Sequence, residues 1–214
     1  MLTSTVSAWL LLVTVFAAAL ISPGPDFVMS VKNSLVHGRR AGMLTALGFA
    51  LGVLVHVAYT LLGIGALIAS SVLLFNVVKY AGAAYLIYLG YKALHSQGVS
   101  AAAIESGLHG VPGGKSDLSA LRDGIVTNLL NPKATLFFVA LFTQIIRPEM
   151  AWVVKISFGL TCAAMVLGWF TAVAVVMTQP GVRRRYISAS KWIDRTLGAF
   201  LIAFGLRLAI AKAS

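Results

Sequence analysis

Residues 41–78 read AGMLTALGFALGVLVHVAYTLLGIGALIASSVLLFNVV and contain no aspartate, glutamate, lysine or arginine. A helix that crosses the hydrocarbon core of a bilayer needs about 20 apolar residues. This run is therefore long enough for one membrane-spanning helix, a turn and the start of a second helix. Two further runs without charged side chains, residues 1–25 and 156–182, have the same character. The sequence predicts an all-α integral membrane protein.

The composition of the whole chain supports this prediction. Of its 214 residues, 59% are hydrophobic and 11% are charged, and the mean hydropathy is +0.90. Soluble domains average about 45–50% apolar and about 25% charged residues. A soluble protein of this size cannot cover so much apolar surface with a polar exterior. The composition excludes a soluble enzyme and a disordered tail, and the single cysteine, Cys162, excludes an intramolecular disulfide.

Six membrane-spanning helices are predicted from the apolar runs and from the glycines and prolines between them. The runs do not alternate in polarity, as the strands of a membrane barrel do. No lysine or arginine precedes the first apolar segment, so we expect a retained helix there and not a cleaved signal peptide. The predicted helices cover residues 6–28, 42–69, 73–94, 121–146, 150–178 and 192–211.

The net charge of +11 is distributed over the connections between helices, which favours membrane lipid and disfavours nucleic acid as a partner. The positive-inside rule places the basic connections in the cytoplasm and both termini outside. A re-entrant first segment would reverse the position of the N-terminus. The basic residues of the three connections are Lys32, Arg39 and Arg40, then Lys92, Lys115 and Arg122, and finally Arg183, Arg184, Arg185 and Lys191.

The two halves of the chain repeat one another. Residues 85–92 read YLIYLGYK and residues 200–207 read FLIAFGLR, and a proline interrupts both the first and the fourth predicted helix, at Pro23 and Pro132. A chance likeness between apolar helices is the alternative. Because each half has an odd number of helices, the second half must enter the membrane from the opposite side, which gives two inverted three-helix repeats. The predicted parts are a first half over 1–94, a cytoplasmic linker loop over 95–119 and a second half over 120–214.

The first break reads Ser22-Pro23-Gly24-Pro25-Asp26. In transporters with inverted repeats, such interruptions mark the binding site near the midplane of the bilayer. A lone carboxylate inside the membrane is costly, so Asp26 there would bind a substrate ammonium or carry a proton. Alternatively, the first helix ends at Pro23 and Asp26 caps the next segment in water.

The second break reads Asn128-Leu-Leu-Asn131-Pro132-Lys133. Asn131 would cap a helix that begins at Pro132, and Lys133 adds a positive charge beside the exposed N–H groups, so this break suits a carboxylate. Alternatively, Lys133 extends its ammonium to the membrane interface. Together the two breaks would hold a zwitterion at both ends. His56 would line the same cavity or serve as a buried structural residue.

Four motifs carry a resemblance to a known family. They are SPGPDF at 22–27, HGRRAG at 37–42, GAAYLIYLGYK at 82–92 and NLLNPK at 128–133. Together they resemble the lysine/homoserine–threonine exporter family of bacterial inner-membrane amino-acid translocators. The resemblance implies efflux of amino acids or close derivatives, driven by the proton gradient. It favours the neutral-substrate branch, because no further buried acid is evident that could accept a cationic side chain.

The sequence therefore predicts a secondary exporter that works by alternating access, and not an enzyme. A proton on Asp26 would compete with the substrate ammonium and give antiport. The alternatives are a transporter of another small solute and a non-transporting membrane scaffold. No cofactor or metal is expected, and small residues such as Gly48 and Gly52 would permit contacts within the chain or in a homo-oligomer. The residues predicted to bind substrate or couple transport are Pro23, Gly24, Pro25, Asp26, His56, Asn128, Asn131, Pro132 and Lys133.

Overall fold

The computed structural model describes residues 2–70, 72–98, 115–147 and 149–210, and within these ranges the chain is helical and contains no strand. Of the predicted linker, residues 99–114 lie outside this part of the chain. The helices are α1 (Leu2–Ile21), α2 (Pro25–Ser70), α3 (Val72–Leu94), α4 (Asp117–Leu129), α5 (Pro132–Ile145), α6 (Trp152–Val176) and α7 (Pro180–Ile210).

Both predicted proline breaks are present. Helix α1 ends at Ile21 and α2 begins at Pro25, while α4 ends at Leu129 and α5 begins at Pro132. A proline ring clashes with the preceding turn but suits the first position of a new helix, where its missing N–H would be unpaired in any case. Helices α4 and α5 meet at an angle of 58°. The chain therefore changes direction at the second break.

Helix α2 has two arms, residues 25–37 and 39–70, which meet at a turn at Gly38 with φ 86° and ψ 168°. The prediction that the first helix extends to 28 and the next begins at 42 is therefore wrong. The first arm forms because Pro25 suits the first helical position and the negative charge of Asp26 favours the first turn. The helix kinks inside the motif HGRRAG, at a glycine whose conformation other residues rarely adopt.

Helix α7 begins at Pro180, although the sequence predicts a helix start at 192. Between residues 182 and 197 the sequence contains neither glycine nor proline, so nothing interrupts the helix there. The basic connection that includes residues 183–185 is therefore the beginning of α7 and not a loop. As a consequence, Asp194 lies well inside a helix instead of near its start.

The described helices have the length and composition of membrane helices. Pro25–Gly63 and Trp152–Val176 are each long and apolar enough to cross a bilayer, and α4 with α5 adds a third span if the bent pair is counted as one. Large apolar side chains such as Leu62 and Val153 are exposed on helix surfaces, as is typical of groups that face lipid. The fold is an all-helical membrane protein.

Glycines bring α2 and α4 into close contact. A Cβ atom at Gly48 would lie 2.3 Å from the carbonyl oxygen of Leu121 and 2.8 Å from the Cα of Gly124. A Cβ atom at Gly52 would lie 2.6 Å from Oδ1 of Asn128. Small residues permit such backbone approach in membrane bundles. This packing places the end of α4, with the second break, against the interior face of α2.

Candidate functional site

Asp26 connects the two breaks. Its Oδ2 accepts a hydrogen bond from Nδ2 of Asn128 at 2.7 Å, and its Oδ1 accepts one from Nδ2 of Asn131 at 3.0 Å. Asn128 lies in the last turn of α4, and Asn131 precedes α5. Amide NH₂ groups only donate hydrogen bonds, so this pairing suits an ionised carboxylate. Asp26 thus contacts the second break across the bundle and does not cap a segment in water.

Lys133 points from the second break back to the first. Its backbone N–H donates to Oδ1 of Asn131 at 3.0 Å. Asn131 is therefore the N-cap of α5, as the sequence predicts. Its ammonium Nζ donates to the carbonyl oxygen of Ser22 at 3.0 Å. Among the ion pairs of the described residues, Lys133 takes part in none within 4.0 Å. The ammonium is therefore held inside the bundle without a carboxylate in direct contact.

A cavity of about 60 Å³ lies between the two breaks. Asp26, Asn128, Asn131 and Lys133 contribute polar groups to its wall, and Gly24 lies beside the Lys133 side chain. Ligand pockets generally measure about 300–1,000 Å³, so this cavity must expand to admit an organic ligand. The apolar part of the wall includes Phe16, Phe27, Val53, Phe137, Phe138, Val166 and Phe170.

His56 lies behind the cavity and contacts Asn128. Its side chain is buried, its Nε2 lies 3.1 Å from the carbonyl oxygen of Asn128, and its Nδ1 lies 2.7 Å from the hydroxyl of Tyr59. Because a carbonyl oxygen only accepts, Nε2 carries the hydrogen, and in the neutral ring Nδ1 accepts from Tyr59. His56 also stacks on Phe138, with centroids 5.8 Å apart. It supports Asn128 and is not part of the cavity wall.

The structure brings five of the nine predicted residues to the cavity and places the others around it. The three prolines form the breaks themselves, and His56 is the residue behind the wall. The residues at the cavity are Gly24, Asp26, Asn128, Asn131 and Lys133.

Asp194 is a further buried acid, so the expectation that none accompanies Asp26 is wrong. Its side chain on α7 is 3% exposed. The hydroxyl of Ser22 donates to its Oδ1 at 3.3 Å, and the hydroxyl of Ser96 donates to its Oδ2 at 2.5 Å. Sequence reasoning missed it because a helix predicted to start at 192 leaves Asp194 at the membrane surface. The unbroken run from Pro180 was the signal that could have revealed it.

A second polar cluster, also missed, joins the first arm of α2 to α4. Lys115 forms an ion pair with Asp123, and Nδ2 of Asn33 donates to the hydroxyl of Thr45 at 2.8 Å. Asn33 also donates to Asp123 and accepts from Lys115, so the four side chains form one network. We call these residues, Asn33, Thr45, Lys115 and Asp123, the Lys115 cluster. It lies on the side of the bundle that the basic connections predict to be cytoplasmic.

A bundle of apolar helices with opposite charges around an interior cavity is typical of a membrane transport protein. The sequence model of the family described as LysE type translocator matches residues 17–212. The chain belongs to this family. This confirms the resemblance drawn from the motifs, and it makes the protein a transporter and not an enzyme. The protein is a multi-pass protein of the inner membrane.

Several relatives are similar over nearly the full length. A threonine efflux protein of Escherichia coli (strain K12) is 33% identical over 202 residues, 92% of this chain and 95% of the relative. An uncharacterized membrane protein of Vibrio cholerae is 34% identical over 210 residues, 96% and 97% of the two chains. A homoserine/homoserine lactone efflux protein of Salmonella typhimurium is 29% identical over 193 residues, 90% and 91%. No solved structure matches the chain significantly.

Proposed function

We propose that the protein is a secondary active exporter of neutral amino acids, or close derivatives, across the bacterial inner membrane. The observation that carries this proposal is the pair of opposite charges, Asp26 and Lys133, at one interior cavity. The substrate ammonium binds Asp26, and its carboxylate binds Lys133 and the start of α5. The printed functions of two relatives, threonine efflux and homoserine efflux, support this substrate class.

The apolar part of the wall supports a neutral side chain of the homoserine, threonine or leucine type. Five phenylalanines contribute to this wall, so the region beyond the two charges is hydrophobic. The additional acid, Asp194, already accepts two hydroxyl hydrogen bonds and is not part of the cavity wall. A cationic substrate side chain would therefore lose its hydration and find no free carboxylate as a partner.

Proton coupling follows from competition at Asp26. A protonated Asp26 has no charge to attract an ammonium, so a proton and the substrate exclude one another there. The proton gradient across the inner membrane then drives substrate outward by antiport. The small volume of the cavity supports alternating access, because substrate enters and leaves only if the two halves move apart on one side at a time.

Contacts between α3 and α7 support the proposal of six spans in two inverted repeats. The sequence repeat relates Ala83 to Gly198 and Gly90 to Gly205. A Cβ atom at Gly90 would lie 2.6 Å from the carbonyl oxygen of Gly198, and one at Gly205 would lie 3.0 Å from the carbonyl oxygen of Ala83. These contacts are reciprocal, as expected for two related halves that face one another across a two-fold axis.

Peptide feeding of intact cells tests the proposal. Dipeptides that contain threonine, homoserine or leucine load the cytoplasm with the free amino acid, and its appearance in the medium is then followed with and without the protein. We expect expression to lower the internal pool and raise the external pool of at least one of them. If none moves although the protein is shown to be in the membrane, amino-acid export is refuted and a different solute or a scaffold role is favoured.

A further inference from the structure

Lys133 lies within electrostatic range of two carboxylates that come from different helices, Asp26 on α2 and Asp194 on α7. Its ammonium contacts neither directly and instead donates to the carbonyl oxygen of Ser22. The hydroxyl of the same serine donates to Asp194. Ser22 therefore connects the ammonium of Lys133 to the carboxylate of Asp194 through its two oxygen atoms.

We propose that Asp194 is a positioning residue that competes with the substrate carboxylate for Lys133 and thereby promotes substrate release. This inference rests on the proposed function, because it assumes that Lys133 binds the carboxylate of an amino acid. Asp194 then acts through Lys133 and does not touch the substrate itself.

The reason for such a competitor is electrostatic. An ammonium inside a membrane bundle is costly without a counter-charge, and Asp194 supplies one from outside the cavity wall when no substrate is present. A substrate carboxylate brings a second negative charge close to the same lysine, and the two carboxylates repel one another at low local dielectric. Asp194 therefore lowers the affinity of the loaded site.

Ser96 binds the second carboxylate oxygen of Asp194. Its hydroxyl lies 2.5 Å from Oδ2 of Asp194, and it also accepts from the N–H of Gly98 at 3.0 Å. Ser96 follows the end of α3, so the position of Asp194 depends on the chain segment beyond that helix. Two hydroxyl donors spread the negative charge of Asp194 and limit how strongly it competes for the lysine.

Binding measurements on the Asp194→Asn variant test the inference. The purified protein in detergent is titrated with L-threonine, L-homoserine and L-leucine by isothermal calorimetry. We expect Asp194→Asn to lower the Kd of the bound amino acid by about tenfold and to slow its efflux from proteoliposomes. L-Threoninol and L-leucinol, which lack the carboxylate, should show no such change. Asp117→Asn, which removes an exposed carboxylate that pairs with Arg40, is the matched control and should leave the Kd unchanged.

The Ser96→Ala variant keeps the test decisive if Asp194→Asn does not fold. Without its short hydrogen bond, Asp194 competes more strongly for Lys133, so we expect the Kd for the amino acid to rise. A structural defect in Ser96→Ala would also weaken the binding of L-threoninol and L-leucinol, whereas the inference requires that only ligands with a carboxylate lose affinity. Weaker or unchanged binding by a folded Asp194→Asn variant overturns it, as does an unchanged Kd in Ser96→Ala. If the wild-type protein binds none of the three amino acids, the proposed function itself fails.

Discussion

The carboxylate of Asp26 has an amide donor on each oxygen and a cavity in front of it. Its position is therefore held by α4 and the start of α5, while its charge remains available to a ligand. Lys133 has the complementary arrangement, with its ammonium at the carbonyl oxygen of Ser22 and no carboxylate in contact within the described residues. At the scale of single residues, the site consists of two separated charges. Each charged side chain is hydrogen-bonded by residues of the other break.

Asp26→Asn tests the charge with almost no change in shape. A hydrogen bond to a charged group contributes about 1.5–3 kcal/mol, so the variant should lose about tenfold to a hundredfold in apparent affinity for the exported amino acid. Efflux from dipeptide-loaded cells over a range of internal concentrations measures this loss. Asp117→Asn serves again as the control on expression and charge. Unchanged export with unchanged pH dependence in Asp26→Asn would contradict the proposed role of this residue.

Gly52→Ala tests the support of Asn128. A Cβ atom at this position would lie 2.6 Å from Oδ1 and 3.0 Å from Cβ of Asn128, so the asparagine must move and its hydrogen bond to Asp26 is lost. We expect strongly reduced efflux from a variant that still inserts into the membrane. Gly63→Ala on the same helix is the matched control, because its Cβ would meet nothing within 4 Å. Equal efflux by the two variants would show that Asn128 is not required.

The elements show how far the sequence alone could predict this fold. The breaks at Pro23 and Pro132 were predictable because a proline acts on its own turn, whatever surrounds it. The helical arm 25–37 was not, since so short a helix is stabilised by packing that the local sequence does not display. Asp194 was missed for a related reason: its contact with Ser22 joins residues 172 positions apart. Residues that interrupt a helix can be recognised in the sequence, whereas contacts between residues far apart in the chain cannot.

Gly38→Ala tests the turn between the two arms of α2. The φ of 86° and ψ of 168° belong to a region that is essentially restricted to glycine, so alanine should cost about 1–3 kcal/mol of stability. Steric contact is not the cause, because a Cβ there would meet nothing within 4 Å. A thermal unfolding scan of the detergent-solubilised protein should show a lower Tm. Gly181→Ala, at an open helical position in α7, should show no decrease, and a Tm equal to wild type in Gly38→Ala would refute the strain argument.

The charged side chains at the two ends of the helix bundle indicate how the whole molecule is oriented in the membrane. The kink of α2 at Gly38 lies between Asn33 and Thr45 of the Lys115 cluster, and α4 begins two residues after Lys115. The basic connections share this end of the bundle in the predicted topology. Arg147 and Lys155 flank the connection between α5 and α6, which the topology places outside. In the proposed antiport, this predicted orientation would set the direction of coupling, because Asp26 would receive protons from outside and substrate from the cytoplasm. The bent pair α4 and α5 must then cross the membrane once between these two ends.

Cysteine labelling tests that crossing directly. In a Cys162→Ala background, Gln97→Cys and Glu149→Cys each place one exposed thiol, on the two sides of the α4–α5 pair. We expect a membrane-impermeant maleimide to label only Glu149→Cys in intact spheroplasts and only Gln97→Cys in sealed inside-out vesicles. The reverse pattern would show the opposite orientation and would require the proton gradient to act in the other direction. Labelling of both thiols from the same side would make α4 and α5 a re-entrant hairpin and would exclude two inverted three-helix halves.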